Sequence, residues 1–241
     1  PSNPMLGITD IASIVNIAKE VGALTFLDNT FMTPIHQRPL DLGVDVVIHS
    51  ATKFLSGHSD IVAGLVVTKD PTLSEQVYFI QNSFGSCLGV QDSFTLIQNM
   101  KTTAVRFNES ARVASVLATF LDNHPLVEKV YYPGLASHPG ADIHARQSTS
   151  AGAVLSFSLP SYDVAKVFVE AMQIPVFAVS LGGVESILSY PAKMSHAAME
   201  PEERAKRGIT DGLLRFSVGL ENEHDLLEDL AQALEKALQV K

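Results

Sequence analysis

A lysine directly after an apolar strand, among small hydroxyl residues, is an unusual placement for a surface charge, and Ser50-Ala51-Thr52-Lys53 puts one there. Such a lysine becomes a nucleophile when desolvation or a nearby cation lowers its pKa from roughly 10.4. Upstream, the short apolar run ALTFLD (23–28) ends in Asp28 at the close of what reads as the preceding strand. Taken singly, each residue has a plain reading: Lys53 as a solvated loop lysine, Asp28 as a turn or helix-cap carboxylate. Taken as a pair they suit a specific chemistry. A Schiff base needs the amine, and a heteroaromatic ring that must stay protonated needs the carboxylate.

Pyridoxal 5'-phosphate (PLP) has both requirements. At about 4 Å in a partly screened site, the pairing of carboxylate and ring cation is worth up to roughly 4 kcal/mol. That equals about three pKa units, enough to decide the ring's protonation. Other candidates weaken on inspection. Eight histidines invite a metal reading, but His49 and His58 lack a thiolate or spaced carboxylate partner and no HExxH occurs, so no metal is expected. Gly182-Gly183 is neither a dinucleotide fingerprint nor a Walker loop. Cys87, in SFGSCLG, reads as a small buried hydrophobe rather than a nucleophile. Tyr190 could approach a cofactor cleft, but a packing role serves equally well.

The elements that must position these residues have an α/β pattern. Ile8, Ile11, Val15, Ala18 and Val21 recur at helical spacing, and Gly22 sits where that helix would stop. Runs 23–28, 44–49 and 64–68 read as short buried strands, with Asp28 and 50–53 just beyond strand ends, where ligands of such sheets gather. Residues 92–123 form one long helix or two abutting ones, stopped by His124-Pro125. Beyond it the pattern is α+β. Strands are expected at 153–159 (Leu155, Phe157 and Leu159 on one face), 175–180 and 213–220, and Asn222 caps a closing amphipathic helix. In the 213–220 strand, Leu214, Phe216 and Val218 face one way and leave Arg215 on the other. The polar stretch 194–208 reads as a mobile excursion. The expected division is 1–98, the end of a larger domain, and 99–241, a long connecting helix with a smaller α+β domain.

Composition narrows the class. The 241 residues suit one large or two modest domains on a prior of about 150 each. They are 46% hydrophobic and 18% charged, enough apolar side chain for a true core. Lys plus Arg number 17 against 26 for Asp plus Glu, a formal charge of −9, which argues against a nucleic-acid partner. No apolar stretch nears the roughly 20 residues a membrane span needs, and PSNPMLGITD is not a signal peptide. With a single cysteine, the expectation is a cytoplasmic protein.

Five segments carry a resemblance. PSNP (1–4), FLDNTF (26–31), HSATKFLSGHSD (49–60), SLGGVESILSYP (180–191) and LLRFSVGLE (213–221) resemble, in order, the Cys/Met-metabolism family of PLP-dependent enzymes. These are the fold-type-I trans-sulfuration lyases and synthases. Residues 191–215 look most like the β-lyase branch. The resemblance implies the end of the family's large mixed-sheet cofactor domain plus its small C-terminal domain, since family chains begin well upstream of PSNP. It implies Lys53 as the Schiff-base lysine and the acid/base at Cα, and Asp28 on the pyridinium nitrogen. Ser50 and Thr52 would bind the phosphate and Asn3 the ring hydroxyl. Arg215, assisted by Ser180 and Asn3, would hold the substrate carboxylate. The implied activity is carbon–sulfur bond cleavage in a small amino-acid thioether such as cystathionine, by β-elimination, in a homotetramer built from dimers that share active sites. γ-Elimination or γ-replacement stays open as the neighbouring alternative. So does a non-catalytic oligomerisation or regulatory module, although such a module would have no use for Lys53, Asp28 and Arg215 together.

Overall fold

Two sheets divide residues 1–240, the part of the chain that the computed structural model describes. The first is built from α1 (Ile11–Glu20), β1 (Phe26–Asp28), the single turn α2 (Thr33–His36), β2 (Val46–Ser50) and β3 (Gly64–Thr68). Its order is β1-β2-β3, with β1 parallel and β3 antiparallel to β2. Asp10 caps α1 by accepting a hydrogen bond from Ser13 N–H. Ile11 and Val15 on the apolar stripe of α1 then pack on Val44 and Val47. That contact holds the helix against the sheet that ends in Asp28 and Ser50.

Three helices follow: α3 (Pro71–Phe84), α4 (Val90–Met100) and α5 (Thr103–Asp122). The expected long helix is two abutting ones, broken at Lys101-Thr102. Helix α3 was not foreseen in the periodicity, and the physical reason is visible: none of its residues is buried, so no stripe marks a face. Cys87, between α3 and α4, is exposed rather than buried, because neither flanking segment packs over it.

The second sheet takes in β4 (Lys129–Tyr131), α6 (Ala141–Gln147), β5 (Val154–Ser158), α7 (Tyr162–Ala171), β6 (Val176–Phe177), β7 (Ile187–Ser189), α8 (Pro201–Lys206), β8 (Leu213–Ser217) and α9 (Glu223–Ala237). Strand order is β4-β5-β8-β7-β6. One face carries the main core, where Leu155, Phe157, Leu214 and Phe216 meet α5, α7 and α9. Asn222 caps α9 through His224 N–H, as expected. The expected two-faced β5 is buried at every position. Its polar face is covered by the N-terminal segment, with Ser156 Oγ donating to the Pro4 carbonyl at 2.7 Å. The stretch 194–208 is not wholly irregular: α8 forms within it, with Glu202 and Glu203 in its first turn and Lys206 in its last.

Candidate active site

Asp28 and Ser50 end neighbouring strands, and the turn that follows β2 carries Lys53. Lys53 N–H donates to the Ser50 carbonyl, and Gly57 N–H returns to the Lys53 carbonyl at 2.7 Å. That coil lifts the lysine off the sheet edge. Asn3, Asp28, Ser50 and Lys53 all line one cavity of about 510 Å³, together with Thr30 and Phe31. Asp28 accepts from Thr30 N–H at 2.9 Å, and Thr30 Oγ1 accepts from Ser50 N–H at 2.8 Å. One threonine thus ties the ends of β1 and β2 together. Gln147 closes the rim, its amide bonding Ile11 N–H and the Thr9 carbonyl.

The Lys53 amine donates to Ser180 Oγ at 2.6 Å. Burial, and then the Arg215 guanidinium, hold it below the ordinary lysine pKa. Ser180 itself is at φ 91°, a left-handed value that few side chains adopt. The strain is held by its neighbours, because its carbonyl accepts from Arg215 Nη2 while its hydroxyl meets Lys53.

Arg215 is 4% exposed. Register explains its setting: it faces Ser156 on β5 and Ser189 on β7, so three polar residues lie in a row across the sheet. Nη2 donates to Ser189 Oγ at 3.1 Å, and Nη1 to Asn3 Oδ1 at 2.9 Å. Nε is buried without a partner, and burial pulls the guanidinium pKa down to about 10, which leaves it charged at neutral pH. An uncompensated buried cation with a free donor is a site for an anion.

The expected residues therefore divide. Asn3, Asp28, Ser50 and Lys53 share the first cavity. Thr52 and Ser180 line a second one of about 660 Å³ with Asp60, Val179 and Glu185, and Arg215 reaches the group through Asn3 and Ser180. Thr52 Oγ1 accepts from Ala63 N–H at 2.9 Å and donates to the Ala63 carbonyl at 3.3 Å. Tyr190 lies apart, donating to the Asp211 carbonyl, with its hydroxyl pKa pushed up to about 12 by burial. Thr30 and Ser189 were missed in the sequence reading. Thr30 had a signal, standing two residues after Asp28 within FLDNTF; Ser189 had none, because only the β7–β8 register sets it beside Arg215. His49 is buried behind Asp28 with Nδ1 unpartnered, and burial lowers its pKa against the opposing pull of Asp28. Among the described residues no cluster of His, Cys, Asp or Glu could hold a metal ion, and no helix is long and apolar enough to cross a membrane.

The family model for Cys/Met metabolism PLP-dependent enzymes matches residues 1–235. Over 236 residues the chain is 63% identical to the cystathionine beta-lyase MetC of Bacillus subtilis (strain 168), an alignment that takes in 98% of this chain and 60% of that protein. It is 48% identical over 235 residues to the cystathionine gamma-lyase of the same organism, covering 98% and 62%. The crystal structure of cystathionine gamma synthase from Xanthomonas oryzae pv. oryzae, in complex with aminoacrylate and cysteine, superposes with a TM-score of 0.97 at 45% identity. That match covers 99% of this chain and 62% of the other. The chain spans about three fifths of the length of the relatives it matches.

Proposed function

Because the chain belongs to the Cys/Met-metabolism family of PLP-dependent enzymes, we propose that the protein is a carbon–sulfur lyase that splits cystathionine on its β side, releasing homocysteine, pyruvate and ammonia. The enzyme reading is carried by one observation: Asn3, Asp28, Ser50 and Lys53, drawn from separate parts of the chain, converge on one cavity. The preference for β over γ cleavage rests on the 63% identity to a β-lyase against 48% to a γ-lyase.

The cavity residues fit PLP. A carboxylate, a hydroxyl and an amine of depressed pKa line it, and an arginine with an unpartnered buried Nε stands behind it. When bound, PLP supplies an electron sink for negative charge developing at the substrate's Cα. Lys53 would hold the cofactor through its amine and would take the proton from the substrate's Cα. Ser180 Oγ, 2.6 Å from its amine, steers that side chain between the two roles. Asp28 would keep the ring nitrogen protonated, its carboxylate fixed by the backbone N–H of Thr30. Asn3 would hold the ring hydroxyl and Ser50 the phosphate. Thr52 has one hydroxyl proton, which can go to phosphate in place of its long bond to Ala63. Arg215 receives the substrate carboxylate. Residues 1–98 act as the end of a cofactor domain and 99–241 as the connecting helix and small domain. A cytoplasmic homotetramer whose dimers share active sites completes the reading, with sedimentation as its check.

Borohydride reduction of the full-length protein, then peptide mapping, should put a phosphopyridoxyl group on Lys53. A label on another lysine overturns the assignment. Chromatography of keto acids formed from cystathionine should give pyruvate, and a majority of 2-oxobutyrate overturns the β-lyase reading alone.

A further inference from the structure

Arg106, on the first turn of α5, is 8% exposed and makes no ion pair among the described residues. A buried guanidinium without a counter-ion is costly unless other groups satisfy it. Here every acceptor is neutral. Nη1 donates to the Phe54 carbonyl at 3.0 Å, Nη2 to the carbonyls of Leu55 (3.3 Å) and Asn99 (3.0 Å) and to Thr103 Oγ1 (3.2 Å), and Nε to Thr102 Oγ1 at 3.0 Å. Phe54 and Leu55 directly follow Lys53. Their carbonyls end a single helical coil that turns too soon to use them internally, the kind of oxygen a cation at a helix C-terminus satisfies.

The coil is gripped from two sides. On the α5 side Thr103 Oγ1 also donates to the Leu55 carbonyl at 3.2 Å, and Phe107 packs edge-on against Phe54 with ring centres 4.7 Å apart. On the other side Val184 N–H donates to the Gly57 carbonyl, and Gly182 lies so close that a Cβ there would stand 2.6 Å from the Phe54 nitrogen. The second grip is the segment that carries Ser180, the partner of the Lys53 amine. Gly57 leaves the space that the guanidinium fills, since a Cβ on it would fall 2.0 Å from Arg106 Nη1.

We propose that Arg106 is a positioning residue for Lys53, its planar fork locking the coil 53–57 against α5 so that the lysine enters the cavity at the height of Ser180. This rests on the proposed role of Lys53, so its test includes a measurement in cofactor-free protein that does not depend on that role. Competitive acetylation of the full-length protein, followed across pH and read by mass mapping, gives the labelling midpoint of Lys53. Arg106→Met and Arg106→Lys should both move that midpoint upward, toward the ordinary lysine range, so that Lys53 labels about tenfold less than in the parent at a fixed pH near neutrality. Arg106→Lys keeps the charge but loses the planar fork whose three nitrogens reach three carbonyls and two hydroxyls. A shift in Arg106→Met alone would make the effect one of charge and overturn the proposal. Unchanged midpoints in both, with only a lower melting temperature, would reduce Arg106 to a structural residue and also overturn it. In the loaded enzyme kcat should fall about tenfold with KM within about twofold. Where Arg106→Met does not fold, Thr103→Val removes only the hydroxyl bonded to Leu55 and Arg106. It should shift the midpoint the same way by a smaller amount, and no shift there counts against the proposal.

Discussion

Within the described residues the two sheets are buried to different degrees. In the C-terminal one, β5 and β8 are buried at all five positions each, and α9 buries Leu226, Leu230 and Leu234 on the same core. In the N-terminal one, β3 has no buried position and β1 none, and α3 leaves Tyr78, Phe79 and Phe84 at 67%, 70% and 83% exposure. Yet Asp28 and Ser50 end strands of the less buried sheet, and Lys53 stands on the turn just beyond β2. The coil that bears Lys53 is contacted from the other region, by Arg106 and Phe107 on one side and the 180–185 segment on the other. Within the described residues the C-terminal sheet carries the deeper core and the buried Arg215, and the N-terminal sheet carries the groups proposed to react.

Substitutions can separate those contributions. The largest effect belongs to Lys53→Ala in the full-length enzyme, which should cut kcat by about 10³-fold, the scale of a lost acid/base, with a melting temperature within a few degrees of the parent. A collapse in melting temperature would break the contrast. Next comes Phe216→Ala, whose ring is fully buried. It should cost about 3–5 kcal/mol in denaturant unfolding, and a cost under about 1 kcal/mol would show that the C-terminal core is not the stabilising one. Arg215→Lys should lower kcat/KM by about 10–100-fold while cofactor affinity stays nearly constant; normal kcat/KM would put the substrate carboxylate elsewhere. The smallest effect is on pH. Burial and Arg215 depress the Lys53 pKa, so Arg215→Met, which removes one of those causes, should raise the Lys53 labelling midpoint in cofactor-free protein. A fall would contradict the sign.

Much of this was legible from local pattern. The lysine after an apolar strand, the acid ending its neighbour, the N-cap at Asn222 and the position of β3 at 64–68 all follow from a few adjacent residues. Helix α3 and the exposure of Cys87 were not legible, because both depend on what fails to pack against them.

By itself the sequence determined the chemistry on offer: an amine, a carboxylate and an arginine in motifs that resemble one cofactor family, a resemblance that the family match over 1–235 bears out. Tertiary structure decided which of those groups meet. Arg215 touches Asn3 from 212 positions away, Lys53 touches Ser180 from 127, and Ser189 enters the cluster only through strand register. Local preferences act over a few residues, whereas these contacts are fixed by how two separately formed sheets pack on a shared segment. That is why Arg106, with no motif to mark it, emerges only when α5 is seen lying against the coil that bears Lys53.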